Sequence, residues 1–143
     1  MKNKKRILCF IILLSILFVL AGCGSQEGQE NGNSLATVTI IGPDDVGVIL
    51  EETEVEIQKD DTALDVLEKA VQEKNIQLEY SGSGTTAYVK AINGLSELDR
   101  GAESGWLYRV NGEIPDEGAG TYIVQNGDHL EWFYTTNLSA EFD

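Results

Sequence analysis

The sequence is poor in positive charge and in the side chains that carry most catalytic chemistry. Its 143 residues include one histidine, His129, and two cysteines, Cys9 and Cys23. It has no G-x-S-x-G motif, and no Ser-His-Asp set can be assigned. The SGSGTT stretch lacks the Gly-Lys-Ser/Thr ending of a phosphate-binding loop. Ten basic residues oppose 24 acidic ones, which argues against binding to nucleic acid. We predict a non-enzyme, with a hydrolase that uses paired carboxylates as the remaining catalytic alternative.

The first 22 residues have the pattern of a secretory signal peptide. A basic start, MKNKKR, precedes an apolar run over residues 7–21. That run of about 15 residues is shorter than the roughly 20 that a membrane-spanning helix needs. It ends in LAGC, which resembles the lipoprotein box of bacterial lipoproteins. The resemblance implies that Cys23 receives a diacylglycerol, that residues 1–22 are removed, and that the new amine is acylated, for example with palmitate.

The predicted lipid on Cys23 indicates where the protein is located and how it is attached there. Two or more acyl chains anchor a protein stably, so we expect attachment to the cell membrane with the domain on the extracytoplasmic side. Residues 24–34, GSQEGQENGNS, contain no apolar side chain, so residues 23–34 should form the lipidated cysteine and a flexible tether. From Cys23 onward the chain has six basic and 24 acidic residues, a net charge of −18. The folded domain, residues 35–143, has no free thiol, disulfide or cysteine metal site, and no other metal site is predicted.

One segment of the domain has a helical pattern. Thr62 is a candidate N-cap, and Asp65 three residues later completes a variant of the capping box. Apolar side chains then recur at helical spacing on one face. This predicted stripe consists of Ala63, Leu64, Val66, Leu67, Ala70 and Val71.

The remaining segments have the alternation and turn signals of β-strands. Two strands precede the helix, and in the second the glutamates from Glu51 to Glu56 indicate a solvated face. After the helix, strands are predicted in IQLEY, AYVKAI, GWLYRV, TYIV and HLEWFY. The last two flank Asn126-Gly127 and suggest a final hairpin. The order predicts an α+β fold with one helix across a mixed sheet.

The strand GWLYRV carries the strongest candidates for a ligand-binding site. Trp106 and Tyr108 share one face of this strand, where they could belong to the core or form a platform for a flat or apolar ligand. The loop after the Asn111-Gly112 turn would border that platform. In it, Ile114 and Pro115 offer apolar contacts.

Three stretches resemble the DUF4430 family, the transcobalamin-like C-terminal domain. They are TALDVLEKA, YVKAINGL and GWLYRVNGEIPDEGAGTYIVQNGDHLEWFYT, between Thr62 and Thr135. The resemblance implies a β-grasp-like sheet that clasps one helix. In vitamin B12 carriers the similar domain closes over one face of the corrinoid, with the tryptophan-bearing strand and the following loop on that side.

Carried over to this chain, the resemblance points to Trp106 and to the loop that follows its strand. We extend it to individual residues and nominate Trp106, Tyr108, Asn111, Gly112, Ile114 and Pro115 as ligand-binding residues. It suggests cobalamin or another corrinoid as ligand, delivered to an uptake transporter, and no resident cofactor. The carriers place a large helical domain ahead of this one, whereas this chain has only the tether. The alternative is a cell-surface module that binds another protein and no small ligand.

Overall fold

The structure is a computed structural model that describes residues 33–142. The predicted signal peptide, Cys23 and nearly all of the predicted tether lie outside these residues. The elements, in chain order, are β1 (Ser34–Ile41), β2 (Val48–Ile57), α1 (Ala63–Lys74), β3 (Leu78–Ser81), β4 (Tyr88–Ile92), β5 (Leu95–Ser96), β6 (Gly105–Val110) and β7 (His129–Thr135). Two 3₁₀ turns, Gly84–Thr86 and Leu138–Glu141, complete the list.

The main sheet has four strands in the order β2-β1-β7-β6. β1 runs parallel to β7, and the other two pairings are antiparallel, so the sheet is mixed. A smaller antiparallel sheet follows the order β3-β4-β5. The predicted α+β fold, with a mixed sheet packed on one helix, is confirmed, while the separation of β3, β4 and β5 into a second sheet was not predicted.

The helix begins and packs as its sequence predicts. The Asp65 N–H donates to the Thr62 hydroxyl at 3.2 Å, and the Thr62 N–H donates to the Asp65 carboxylate at 2.8 Å. All six residues of the predicted apolar stripe are buried. They pack against inward-facing residues of the main sheet, among them Val38, Ile40 and Leu130. Burial of this shared apolar surface is the main force that holds helix and sheet together.

The predicted hairpin between TYIV and HLEWFY is wrong. The turn at Asn126-Gly127 forms, but residues 121–124 are not a strand and contribute only an isolated bridge between Ile123 and Thr62. The reason is that β7 is an inner strand, hydrogen-bonded to β1 on one side and to β6 on the other. The segment before β7 therefore has no free strand edge to pair with, and it packs at the start of α1 instead.

The two outer strands of the main sheet differ in the number of charged side chains that they carry. β2 carries Glu51, Glu52, Glu54 and Glu56, all of which are exposed, as predicted. β6 has no charged residue from Gly105 to Tyr108.

Among the residues that the structure describes, 33–142, none forms a helix with the length and apolar character needed to span a membrane.

Candidate functional site

A cleft of about 280 Å³ opens beside β6, at the outer side of the main sheet. Trp106 and Tyr108 of β6 form one wall, and Tyr88 at the start of β4 also lines the cleft. The loop over residues 114–122, called the cleft loop below, forms a further wall with its residues 114–119. The remaining lining residues are Leu64, Ala87, Val89, Leu107, Trp132 and Phe142.

Trp106 and Tyr108 belong to both the core and the cleft. Their exposed fractions are only 4% and 7%. The Trp106 indole N–H donates to the Leu95 carbonyl oxygen at 2.9 Å, and its ring meets Tyr134 edge-on with 5.2 Å between centroids. Tyr108 stacks on Trp132 with 5.3 Å between ring centroids. Both side chains are therefore fixed before any ligand arrives, and each presents a small part of its surface to the cleft.

The hydroxyl of Tyr108 ties the strand to the cleft loop. It donates a hydrogen bond to the Glu117 carbonyl oxygen at 2.6 Å. Burial, helped by the nearby Glu117 carboxylate, raises the pKa of the Tyr108 hydroxyl far above its usual range. Tyr88 behaves similarly, because burial and a 2.6 Å hydrogen bond to Glu97 raise its pKa to about 12. Tyrosine hydroxyls are protonated at neutral pH in any case, and the raised pKa values extend that state to more alkaline pH. Both hydroxyls act as donors.

The cleft loop is held by the first turn of α1. The first N–H groups of a helix have no partner within the helix. Here the N–H groups of Ala63 and Leu64 donate to the carbonyl oxygens of Tyr122 and Ala119, both at 2.9 Å. The helix start and the cleft loop therefore stabilise each other.

Gly120 lets this loop approach the stretch before β4. A Cβ atom at this position would lie 2.5 Å from the Gly84 carbonyl oxygen and 2.6 Å from the Ala87 Cβ. Neither distance is compatible with ordinary van der Waals contact, so glycine is required for the loop to close the cleft on this side.

Four of the six nominated residues meet in the cleft. Trp106, Tyr108, Ile114 and Pro115 all line it, and the last two are half-buried. Asn111 and Gly112 lie at the far end of β6 and do not line it.

Asn111 has a structural role at that far end. Its side-chain amide donates to the Asp128 carboxylate at 2.8 Å, and its side-chain oxygen accepts from the His129 N–H at 2.9 Å. Gly112 follows with a φ of +88°, in the left-handed region that the turn requires. The geometry therefore separates this turn from the cleft.

Sequence reasoning missed several lining residues because they come from distant segments. Tyr88, Trp132 and Phe142 reach the cleft from β4, β7 and the C-terminal turn. The strand pattern places Tyr88 on the face opposite Val89, but it does not indicate which other residues that face contacts.

The Trp132 indole N–H is buried and finds no hydrogen-bond acceptor within residues 33–142.

The family model of a domain of unknown function, DUF4430, matches residues 60–136. This range contains α1, β6, the cleft loop and β7. The chain belongs to the DUF4430 family. A search of curated proteins finds no match to the sequence.

This DUF4430 chain is also similar to solved structures. Haptocorrin in complex with cobinamide (Cbi) is similar with a TM-score of 0.60 and 26% identity. The match covers 81% of this chain but only 29% of the haptocorrin chain, so this chain spans less than a third of that protein's length. The match agrees with the predicted link to transcobalamin-like C-terminal domains.

A second similar structure is a proposed metal-binding protein from Ruminococcus gnavus. Its TM-score is 0.50 at 19% identity, and the match covers 71% of this chain and 96% of that one. At this identity the likeness concerns the fold alone. In the part of this chain from residue 33 to residue 142, no group of three or more histidine, cysteine or acidic side chains is placed to hold a metal ion.

Proposed function

We propose that this chain is a lipid-anchored, extracytoplasmic binding protein whose DUF4430 domain holds a small molecule in the cleft beside β6 without catalysing its conversion. The candidate ligand is a corrinoid such as cobinamide or cobalamin. The observation that carries the proposal is the meeting of Trp106, Tyr108, Ile114 and Pro115 around one preformed cleft. Ligand sites are typically preformed, apolar and aromatic, with a few fixed polar groups.

The likeness to haptocorrin supports the choice of corrinoid. Haptocorrin is seen with cobinamide, and its matching part is 26% identical to this chain. This chain matches only 29% of haptocorrin, so it offers one part of such a site. A smaller contact buries less of the ligand and leaves less surplus free energy after the cost of association. We therefore expect weaker binding than in a two-domain carrier, unless a membrane partner such as an uptake transporter covers the other face.

The size and charge of the cleft limit how a corrinoid is held. A volume of about 280 Å³ lies just below the usual range for small-molecule pockets, so the cleft has room only for an edge of the corrin ring or for one of its side chains. Asp116 and Glu117 are exposed at the rim. Negative charge at a site repels anionic groups. Because cobalamin carries a phosphodiester that cobinamide lacks, we expect the chain to prefer cobinamide.

Titration of the full-length protein in detergent tests this function. We expect corrinoid absorbance and tryptophan fluorescence to change saturably on addition of cobinamide. Replacing Ile114 by serine should weaken binding about tenfold, because it removes one large apolar contact. Val48→Ser, the same kind of apolar-to-serine change at an exposed position of β2, should leave affinity unchanged. A flat response up to high micromolar cobinamide and cobalamin would reject a corrinoid as the ligand.

A further inference from the structure

Two of the aromatic residues that line the cleft remain largely open to solvent. Tyr88 is 43% exposed and Phe142 is 67% exposed. Trp106 and Tyr108 are nearly buried and contribute only small parts of their rings. An aromatic group that is exposed in a concave site offers apolar surface for a ligand to cover. The accessible aromatic surface of this cleft therefore belongs to Tyr88 and Phe142.

The Tyr88 ring is oriented by an acidic side chain. Its hydroxyl donates a hydrogen bond to the Glu97 carboxylate at 2.6 Å, and Glu97 is half-buried. Donation to a carboxylate polarises the phenol and strengthens the negative potential over the face of its ring. Such a face attracts a cation that lies above it. The Tyr88 ring therefore suits a positively charged group better than a neutral one.

Asp116 and Glu117 bring two more carboxylates to the same cleft. Both line it, both are exposed, and in the described part of the chain neither pairs with a basic side chain. Burial raises the pKa of the Tyr108 hydroxyl and the Glu117 carboxylate raises it further, so the charge of Glu117 acts on the aromatic wall. No lysine, arginine or histidine among residues 33–142 lines the cleft. Its field therefore favours cations and disfavours anions.

The apolar lining decides which kind of cation fits. A metal ion takes several ligands, and no group of three or more histidine, cysteine or acidic side chains in residues 33–142 is placed to hold one. A methylated ammonium ion carries its charge inside a shell of methyl groups, which can contact aromatic rings and the apolar side chains of Ile114 and Pro115. The cleft volume of about 280 Å³ lies just below the usual range for small-molecule pockets, so it suits a compact group.

We propose that the cleft binds the quaternary ammonium group of a small molecule, with its methyl groups against Tyr88 and Phe142. The carboxylates of Asp116 and Glu117 balance its charge. Aromatic side chains recognise such ions through cation–π attraction. A carboxylate on the same ligand would be repelled, so the ligand class is cationic rather than zwitterionic. The ammonium site rests on the proposed role of the chain as a small-molecule binding protein, but not on the choice of a corrinoid.

A neutral ligand of the same shape tests the role of charge. Choline and the neutral alcohol in which a carbon atom replaces its nitrogen are titrated separately into the isotope-labelled full-length protein in a non-ionic detergent. We expect choline to cause saturable shifts of amide NMR signals at residues 114–119. The alcohol should bind at least about tenfold more weakly. Equal affinities, shifts only outside the cleft, or no binding of choline overturns the proposal, and this test uses the unaltered protein.

Matched variants separate the aromatic face from the charge. Tyr88→Leu keeps an apolar side chain without a π face and should weaken choline binding about tenfold, whereas Tyr88→Phe keeps the face and should lose about twofold. Glu117→Gln should weaken choline binding about fivefold and leave the neutral alcohol unaffected. Glu51→Gln, at an exposed position of β2, should change neither. Equal affinities within either pair of variants contradict the proposal.

Failure of the corrinoid and failure of the ammonium site give different results, because cobinamide and choline are titrated separately into the same protein. Saturable choline shifts without a response to cobinamide reject the corrinoid and support the ammonium site. A response to cobinamide without one to choline overturns the ammonium site and leaves the corrinoid in place. A response to neither rejects both.

Discussion

At the scale of single residues, Tyr108 connects the core, the cleft and the loop. Its ring stacks on Trp132 inside the core, one part of it lines the cleft, and its hydroxyl holds the Glu117 carbonyl. The hydroxyl is desolvated, so its hydrogen bond compensates for lost contact with water. The fold therefore holds the Tyr108 side chain in one position, whether or not that side chain also contacts a ligand.

Tyr108→Phe removes this hydrogen bond and keeps the ring. We expect the free energy of unfolding to fall by about 1 kcal/mol, since the Glu117 carbonyl loses its partner while the packing persists. Urea denaturation followed by tryptophan fluorescence measures the change. Tyr122→Phe is the matched control, because the Tyr122 hydroxyl makes no hydrogen bond within residues 33–142. An equal loss in both variants would mean that the 2.6 Å bond contributes nothing specific.

At the scale of elements, the first turn of α1 links the helix to the cleft. Thr62 and Asp65 cap the turn, and the N–H groups of Ala63 and Leu64 hold the chain that leaves the cleft loop. The loop has no regular secondary structure of its own over residues 114–122. Its position therefore depends on the exact start of the helix.

Thr62→Ala should destabilise the domain by about 1 kcal/mol, the usual cost of losing an N-cap side chain. We also expect faster hydrogen exchange at the Ala63 and Leu64 amides, because their partners lie on the loop. Denaturation and amide exchange measure the two effects. Thr136→Ala, at an exposed threonine after β7, should change neither. Exchange that stays as slow as in the parent protein would disprove the coupling of helix and loop.

At the scale of the whole molecule, charge and the predicted anchor act in opposite directions. Lipid at Cys23 would hold the chain at the membrane, while a net charge of −18 from that residue onward repels it from anionic lipid surfaces. The tether would allow the domain to stand away from the bilayer. Such an arrangement would leave the cleft accessible to ligands and to proteins of the cell surface.

Replacing Cys23 by alanine tests the anchor. The parent chain should incorporate labelled palmitate and migrate as a shortened mature form. The Cys23→Ala chain should do neither, because the acceptor thiol and the processing site are lost together. Cys9→Ala is the matched control, as this cysteine lies within the predicted signal and should affect neither property. Labelling that persists without Cys23 would contradict lipidation at this residue.

Local patterns predicted most of the secondary structure but only part of the candidate site. The capping box and apolar stripe of α1 are confirmed because they depend on residues three or four apart. Ile114 and Pro115 were nominated as the apolar residues of the loop that follows the aromatic strand, and they do lie at the cleft. Tyr88 and Phe142 could not be found in this way, since they come within reach of β6 only when β4 and the C-terminal turn fold against it.

The sequence by itself determined the helix, most of the strands, the acidic balance and the family, because each follows from neighbouring residues or from a linear motif. Strand order was decided only in the tertiary structure. The central position of β7 removed the expected final hairpin and left β6 as an outer strand. Which strand has a free edge depends on pairings between β1, β6 and β7, segments far apart in the chain, and local periodicity carries no information about such pairings.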